Sequence, residues 1–304
     1  MHISVLLKET IEALNIKEDG IYVDATLGYA GHSSEVLKGI RRGYLFAFDQ
    51  DIEAINHSDK TLSLIASNYE IIKSNFSNLK FELEKRNITE IDGIIFDLGV
   101  SSPQIDEATR GFSYMKDAKL DMRMDQSSKI SAYDVINTYS FEELLQIFYE
   151  YGEENYSKSI AKKIVEKRAI KKIDTTKELV DIIDSSVPTK YKINNHPVRK
   201  IFQAIRIEVN NELEVLKIAL HDAIELLKPG GMICVITFHS LEDKICKEIF
   251  RSYSEVDKMY KGLPNIPLEY RPKLEIIDKI SPSKEEIGHN SRSKSSKLRV
   301  AKKI

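Results

Sequence analysis

Within its first hundred residues the chain repeats one pattern: a short apolar run, a turn, then a stretch with helical spacing. The apolar runs are Ile21–Ala25, Gly43–Phe48, Tyr69–Lys73 and Asp92–Asp97. Ser33–Ile40 and Glu53–Ile65 carry helical spacing between them, and Phe76–Leu83 follows the third run. Apolarity that is continuous rather than alternating marks strands buried on both faces, and strands that alternate with helices mark a doubly wound parallel sheet. A short helix over Val5–Leu14, with Leu6, Leu7, Ile11 and Leu14 on one side, precedes the first strand.

Ligands of such sheets bind at the carboxyl ends of the strands. Here those ends carry Asp24, Asp49 and Asp97. An acid at a buried edge needs a partner or water, so three of them are poor choices for a purely structural edge. Between the first strand and its helix lies Gly28-Tyr29-Ala30-Gly31. Such a loop presents backbone N–H groups and a helix N-terminus to a ligand, although a G-x-x-G alone is equally a tight turn. Asp49 lies 21 residues after Gly28, where an acid accepts hydrogen bonds from the ribose hydroxyls of an adenosine cofactor. Nicotinamide dinucleotides and S-adenosylmethionine share this layout. The full G-x-G-x-x-G is absent, and carboxylates suit a sulfonium better than a pyrophosphate, which favours S-adenosylmethionine. Phe76 is placed to lie against an adenine ring, or simply to fill the core.

After the fourth strand comes Asp97-Leu98-Gly99-Val100-Ser101-Ser102-Pro103-Gln104. Methyl transfer to an exocyclic amine requires orientation and a proton acceptor, and a polar loop with a carboxylate and hydroxyls is adequate. Asp97, Ser101 and Ser102 are the catalytic candidates. The same loop also reads as a turn of Gly, Ser and Pro. Methylation at a ring carbon needs a cysteine nucleophile. Cys234 lies in an apolar strand and Cys246 on a helix without a nearby histidine, so that chemistry is set aside. His239, Ser240 and Asp243 allow a hydrolase triad, but no G-x-S-x-G elbow supports one.

The pattern changes from about residue 105 to 195, where helical stretches (Phe141–Tyr149, Tyr156–Lys167, Thr176–Ser185) occur without a buried strand. Arg199–Leu227 then reads as one long amphipathic helix, Pro229-Gly230-Gly231 turns it into the strand Met232–Phe238, and Glu242–Arg251 is a further helix. A possible strand at Leu274–Ile280 precedes a basic tail. The expected organisation is α/β: a core of residues 1–105 and 196–304, with an all-helical insertion of residues 106–195. The 304 residues suffice for both. With 42% hydrophobic and 30% charged residues, no apolar run near membrane-span length, no basic-then-apolar leader at the N-terminus and two cysteines, the expectation is a cytoplasmic protein without a membrane, a disulfide framework or a metal. Net charge is only −2. Residues 157–172 nevertheless hold seven Lys/Arg against one Glu, and residues 281–304 hold seven against two. Each run alone reads as a solvated face; two together point to a polyanion.

The ordered motifs resemble the bacterial 16S ribosomal RNA cytosine-N4 methyltransferases over essentially the whole chain. They run from HISVLLKE (His2–Glu9) and DATLGYAGHS (Asp24–Ser33) through DGIIFDLGVSSPQID (Asp92–Asp106), RGFSYMKDAKLDMRMD (Arg110–Asp125) and YGEE (Tyr151–Glu154). HPVRKIFQAIRIEVNNEL (His196–Leu213), GGMICVITFHSLEDKI (Gly230–Ile245) and NSRSKSSKLRVA (Asn290–Ala301) complete the set. The resemblance implies a Rossmann-like S-adenosylmethionine-dependent core with an inserted helical domain. It implies methyl transfer to N4 of a cytidine in the decoding region of 16S ribosomal RNA, within the small subunit. By position, the family's cofactor contacts fall on Ala30, Gly31, His32, Asp49, Phe76, Asp97 and Gln104. The residues alone point to Asp49, Phe76 and Asp97; a histidine at a helix start is more often a cap or surface residue, and Gln104 carries no signal. Ala30 stands where the family usually has glycine.

For RNA, the basic candidates are Arg110 and Arg123 in the loop Arg110–Asp125, Lys162 and Lys163 near the run Lys162–Lys172, Arg206, and Arg292 in the tail Arg292–Lys303. Arg110, Arg123 and Arg206 read equally well as partners of nearby acids. Phe112 and Tyr114 are candidates to stack on a flipped cytosine, or to pack in a core. Rival expectations are a methyltransferase acting on another RNA or a small molecule, and an inert RNA-binding assembly factor.

Overall fold

The four apolar runs become β1 (Ile21–Asp24), β2 (Tyr44–Asp49), β3 (Tyr69–Lys73) and β4 (Ile91–Asp97). The computed structural model describes residues 4–256, 259, 260, 262 and 264–304, without the side chains of residues 102 and 269. His2 and Ile3 of the N-terminal motif and the Ser102 side chain thus lie outside the described residues. Three later strands, β5 (Leu227–Thr237), β6 (Leu274–Ile280) and β7 (Lys297–Lys303), complete a seven-stranded sheet of order β3-β2-β1-β4-β5-β7-β6. The first five strands are parallel, and β7 enters antiparallel between β5 and β6.

Packing divides the chain into Met1–Gly99 with Leu213–Ile304, and Val100–Glu212. In the first unit, successive strand residues bury opposite faces, as the two-residue period of a strand requires. Tyr22, Leu45, Ile95, Cys234 and Val300 pack against α1 (Leu7–Leu14), α2 (Gly31–Gly39) and α3 (Ile52–Leu62). Val23, Phe46, Phe96, Val235 and Ala301 pack against α4 (Leu79–Glu84), α12 (Glu212–Leu226) and α13 (Ser240–Ser254). A sheet covered on both faces by helices is a Rossmann-like arrangement. A last short helix, α14, spans Lys284–His289.

The second unit is helical: α5 (Ser102–Asp106), α6 (Ala132–Thr138), α7 (Phe141–Glu150), α8 (Ser157–Arg168), α9 (Thr176–Ser185), α10 (Thr189–Asn195) and α11 (Pro197–Asn210). Among the described residues its strand pairing is a single bridge, Lys119 with Thr175. Ser131, Ser140 and Thr175 open α6, α7 and α9 with capping boxes, each satisfying two N–H groups that a helix start leaves over. Phe148, Ile164, Leu179, Ile183 and Phe202 form its core.

Two expectations are corrected. Arg199–Leu227 is not one helix: Asn211 adopts φ 49°, ψ 37°, and the chain breaks there into α11 and α12. Asparagine tolerates this left-handed conformation better than most residues. The basic tail is not a tail, since β7 pairs on both edges and buries Leu298, Val300 and Ala301. No described helix is long and apolar enough to cross a membrane.

Candidate functional site

β1 and β4 are neighbours, so their terminal acids Asp24 and Asp97 fall side by side at the carboxyl edge of the sheet. Asp24 is buried. One of its oxygens accepts from Thr26 N–H at 3.1 Å and the other from Ser33 Oγ at 2.6 Å. These bonds tie the end of β1 to the first turn of α2. Burial nonetheless raises the Asp24 carboxyl above its ordinary range.

Asp97 is under more stress. Its backbone N–H donates to Thr26 Oγ1 at 2.6 Å, which fixes the strand end. Its Oδ2 lies 3.6 Å from His32 Nδ1, and its buried Oδ1 accepts no hydrogen bond from any described residue. Burial, then the like charges of Asp24 and Glu242, push this carboxyl well above the usual range. A buried carboxylate oxygen without a donor, among other acids, is a site for a cation. His32, 4% exposed, is neither a surface residue nor a cap; it is buried against Asp97.

The loop between β1 and α2 is shaped by close packing. Ala30 sits at φ 63°, in the left-handed region. A Cβ on Gly31 would lie 1.8 Å from Ser4 Oγ, so that space admits no side chain. Gly28 N–H donates to Asp49 Oδ2 at 2.9 Å, and Ser58 Oγ donates to Gly28 O at 2.7 Å. Asp49 Oδ1 accepts from Asp51 N–H at 2.8 Å. Burial pushes Asp49 up to about 6, against the downward pull of these N–H groups. Gln50 N–H also bonds this carboxylate, which keeps acceptor capacity for one further donor. Phe76 stands edge-on to Phe96 with ring centroids 5.9 Å apart and remains only partly buried. The first unit thus brings together Ala30, Gly31, His32, Asp49, Phe76 and Asp97 around one strand edge.

Ser101 and Gln104 belong to the helical unit. Ser101 caps α5: Gln104 N–H donates to Ser101 Oγ at 3.4 Å, and Ser101 N–H donates to Gln104 Oε1 at 3.0 Å. The Ser-x-x-Gln spacing is a capping-box signature, and it is the signal that Gln104 carried in the sequence.

The rejected chemistries stay rejected on geometric grounds. Cys234 and Cys246 are buried, and burial pushes both thiols up, Cys234 to about 12, so neither is a nucleophile. Asp243 is held by Lys297 at 2.9 Å and Arg299 at 2.7 Å, which commits it to β7 rather than to a triad.

Three of the basic candidates turn inward. Arg110 is buried and donates to the carbonyls of Arg123 and Met124. Arg123 grips Asp121 with Nε at 2.9 Å and Nη2 at 2.6 Å, and donates to Ser128 O. Arg206 grips Glu212 through Nε and Nη2, both at 2.8 Å. Arg123 and Arg206 are committed to carboxylates of this protein and Arg110 is buried, which corrects their place in an RNA surface. The expected basic tail is corrected likewise: Lys297 and Arg299 pair with Asp243 and Lys303 donates to Ile224 O, whereas Arg292 is exposed. Lys162 is exposed and Lys163 half-buried on α8, 3.9 and 3.8 Å from Glu166. Phe112 lies in the core of the helical unit, and Tyr114 packs edge-on to Phe202 while staying 39% exposed.

The profile of the MraW methylase family matches residues 1–304. The chain is 50% identical over 306 residues to the ribosomal RNA small subunit methyltransferase H of Exiguobacterium sibiricum, covering 100% of this chain and 98% of that protein. Among solved structures it is similar to a putative rRNA-methylase from Clostridium thermocellum (TM-score 0.47, 14% identity, 100% of both chains). It is also similar to an rRNA methylase from Streptococcus thermophilus (TM-score 0.44, 13% identity, 100% of this chain and 98% of that one).

Proposed function

The chain belongs to the MraW methylase family, and from that premise we propose that it methylates the exocyclic N4 amine of a cytidine in the decoding region of 16S ribosomal RNA. The methyl donor is S-adenosylmethionine, and the natural substrate is the RNA within the small subunit. The observation that supports this cofactor over a dinucleotide is Asp97. Its buried Oδ1, with Asp24 and Glu242 nearby, fits a cationic group and would repel a pyrophosphate.

Bound at this edge, S-adenosylmethionine supplies a methyl group already activated by its sulfonium. Asp49 would accept a hydrogen bond from a ribose hydroxyl, and Ala30, Gly31 and His32 would hold the amino-acid end. Phe76 would lie against the adenine, and Gln104 stays a cofactor candidate on the family resemblance. Asp97 is protonated more readily than an ordinary carboxyl in the free protein. A cation beside it draws the proton off and leaves a carboxylate. That carboxylate would help to orient the target amine, the larger part of what such a reaction needs, with Ser101 and Ser102 kept as candidates on the sequence alone. Lys162 and Lys163 of α8, with the exposed Arg292, bind phosphate and add salt dependence without reading sequence.

The test is methyl transfer to small subunits from a strain lacking the modification, with base-level mapping of the product. Label at cytosine N4 is expected; label elsewhere, or on a small amine instead of RNA, overturns the assignment.

A further inference from the structure

The N-terminal segment before α1 has no role in the site described so far, yet it touches it. Ser4 is 8% exposed and its side chain stands against Gly31, occupying the space where a Cβ would be, 1.8 Å from Oγ and 3.0 Å from the serine Cβ. The Ser4 hydroxyl has no hydrogen-bond partner among the described residues. It faces the start of α2, a nine-residue helix whose N-cap, Ala30, offers no side-chain acceptor and whose first turn holds no acid. Ser33 N–H of this turn bonds Asp24, so the donors that the helix start offers an anion are the hydroxyl of the buried Ser4 and the N–H of Gly31, against which it stands.

The segment is also held down. Leu6 N–H donates to Glu286 Oε1 at 2.8 Å, and Glu286 is fixed in α14 by its own N–H to Ser283 Oγ at 3.0 Å. Leu6 itself is 1% exposed at φ 51°. This hold-down spans 280 positions of sequence and sets where Ser4 stands.

Resting on the cofactor reading above, we propose that Ser4 is a binding residue for the carboxylate of the cofactor's amino-acid end, and that Glu286 is a positioning residue acting through the Ser4–Leu6 segment. The amino-acid end is a zwitterion and needs both signs of partner. Asp97 faces its cationic side; Ser4 Oγ–H and the Gly31 N–H face its anionic side. The acid nearest this corner, Asp24, already accepts from Ser33 and Thr26, so its lone pairs are turned toward those donors.

Calorimetry on the full chain with two probes tests this. S-adenosylhomocysteine carries the carboxylate; 5′-methylthioadenosine lacks the amino-acid end. Ser4→Ala is expected to weaken S-adenosylhomocysteine about tenfold, the loss typical of one hydrogen bond to a charged group, and to leave methylthioadenosine within about twofold. Ser4→Thr, which keeps the hydroxyl, should restore most of the loss. Glu286→Ala should weaken S-adenosylhomocysteine selectively by about threefold, and Glu286→Gln, which keeps an acceptor at Oε1, should not. Equal losses for both probes, or none in Ser4→Ala, overturn the proposal while leaving the cofactor reading intact. Wild-type protein that binds neither probe overturns the cofactor reading, and this proposal with it.

Discussion

Cofactor binding should release protons, and the pH dependence is set by Asp49. In the free protein burial lifts its carboxyl from 3.8 to about 6. Only the carboxylate can accept from a ribose hydroxyl while holding the N–H groups of Gly28, Gln50 and Asp51. At pH 7 Asp49 is largely ionised and at pH 5 largely protonated, so Kd should rise roughly tenfold between them, about 1.4 kcal/mol. Asp97, raised by burial and by Asp24 and Glu242, acts in the same direction. The sign for stability is opposite. A carboxyl whose folded pKa lies above its unfolded value contributes stability that is full below about 4 and is lost as pH rises through about 6, a contribution from Asp49 of about 3 kcal/mol. The empty protein therefore loses stability over the same window in which the cofactor gains affinity. Titration calorimetry with S-adenosylhomocysteine from pH 5 to 7, in buffers of differing ionisation enthalpy, measures both Kd and protons released. Near pH 6 Asp49 should give up about half a proton per ligand bound. Asp49→Asn should flatten the part of the curve centred near pH 6. A Kd that stays level from pH 5 to 7, or a component centred near pH 6 that survives in Asp49→Asn, refutes the assignment.

Asp97→Asn removes a charge crowded by Asp24 and Glu242. It should raise unfolding stability by about 1–2 kcal/mol while weakening the cofactor at least about a hundredfold, so a melting curve that falls while calorimetry shows intact binding contradicts both halves. Arg206→Ala leaves Glu212 without its bidentate partner, only 10% of the Glu212 side chain being exposed. A stability loss of about 3 kcal/mol is expected, with no change in the salt dependence of RNA binding. Lys162→Gln with Lys163→Gln should do the reverse, reducing the salt slope by nearly two while stability stays within about 0.5 kcal/mol. Ala30→Gly relieves a left-handed alanine, φ 63°. The gain, up to about 1 kcal/mol after the entropy of the added glycine, is read by thermal unfolding, and a lowered melting temperature argues against strain there.

The first four strands were legible because they are buried on both faces and read as unbroken apolar runs. β7 was not, because KLRVAKK carries cations at four of seven positions. Two of those, Lys297 and Arg299, lie opposite Asp243 of α13, and Lys303 reaches the carbonyl of Ile224; a basic strand becomes core only when such partners arrive from elsewhere in the chain. The split between α11 and α12 escaped notice because apolar spacing continues through Asn210-Asn211, although a paired asparagine is a permissible left-handed stop. Gln104 was a missed signal of another kind: its spacing from Ser101 was present in the sequence and local.

The charged side chains divide by what surrounds them. Arg123 and Arg206 find carboxylates within the protein, so their charge is spent on shape. Asp24, Asp49 and Asp97 find mainly neutral donors or, for Asp97 Oδ1, no described donor, and all three are raised. A fold selected for stability alone would neutralise such an edge with an arginine or replace it with apolar residues. Here the acids recur at successive strand ends, and the positive partner they lack matches a ligand carrying a sulfonium and an ammonium. That makes the cofactor part of the electrostatic balance of the sheet edge. Saturating S-adenosylhomocysteine, which keeps the ammonium, should stabilise the wild-type protein against heat more at pH 7 than at pH 5, and Asp49→Asn should lose most of that difference. An equal shift at both pH values would mean that the acids are neutralised from within.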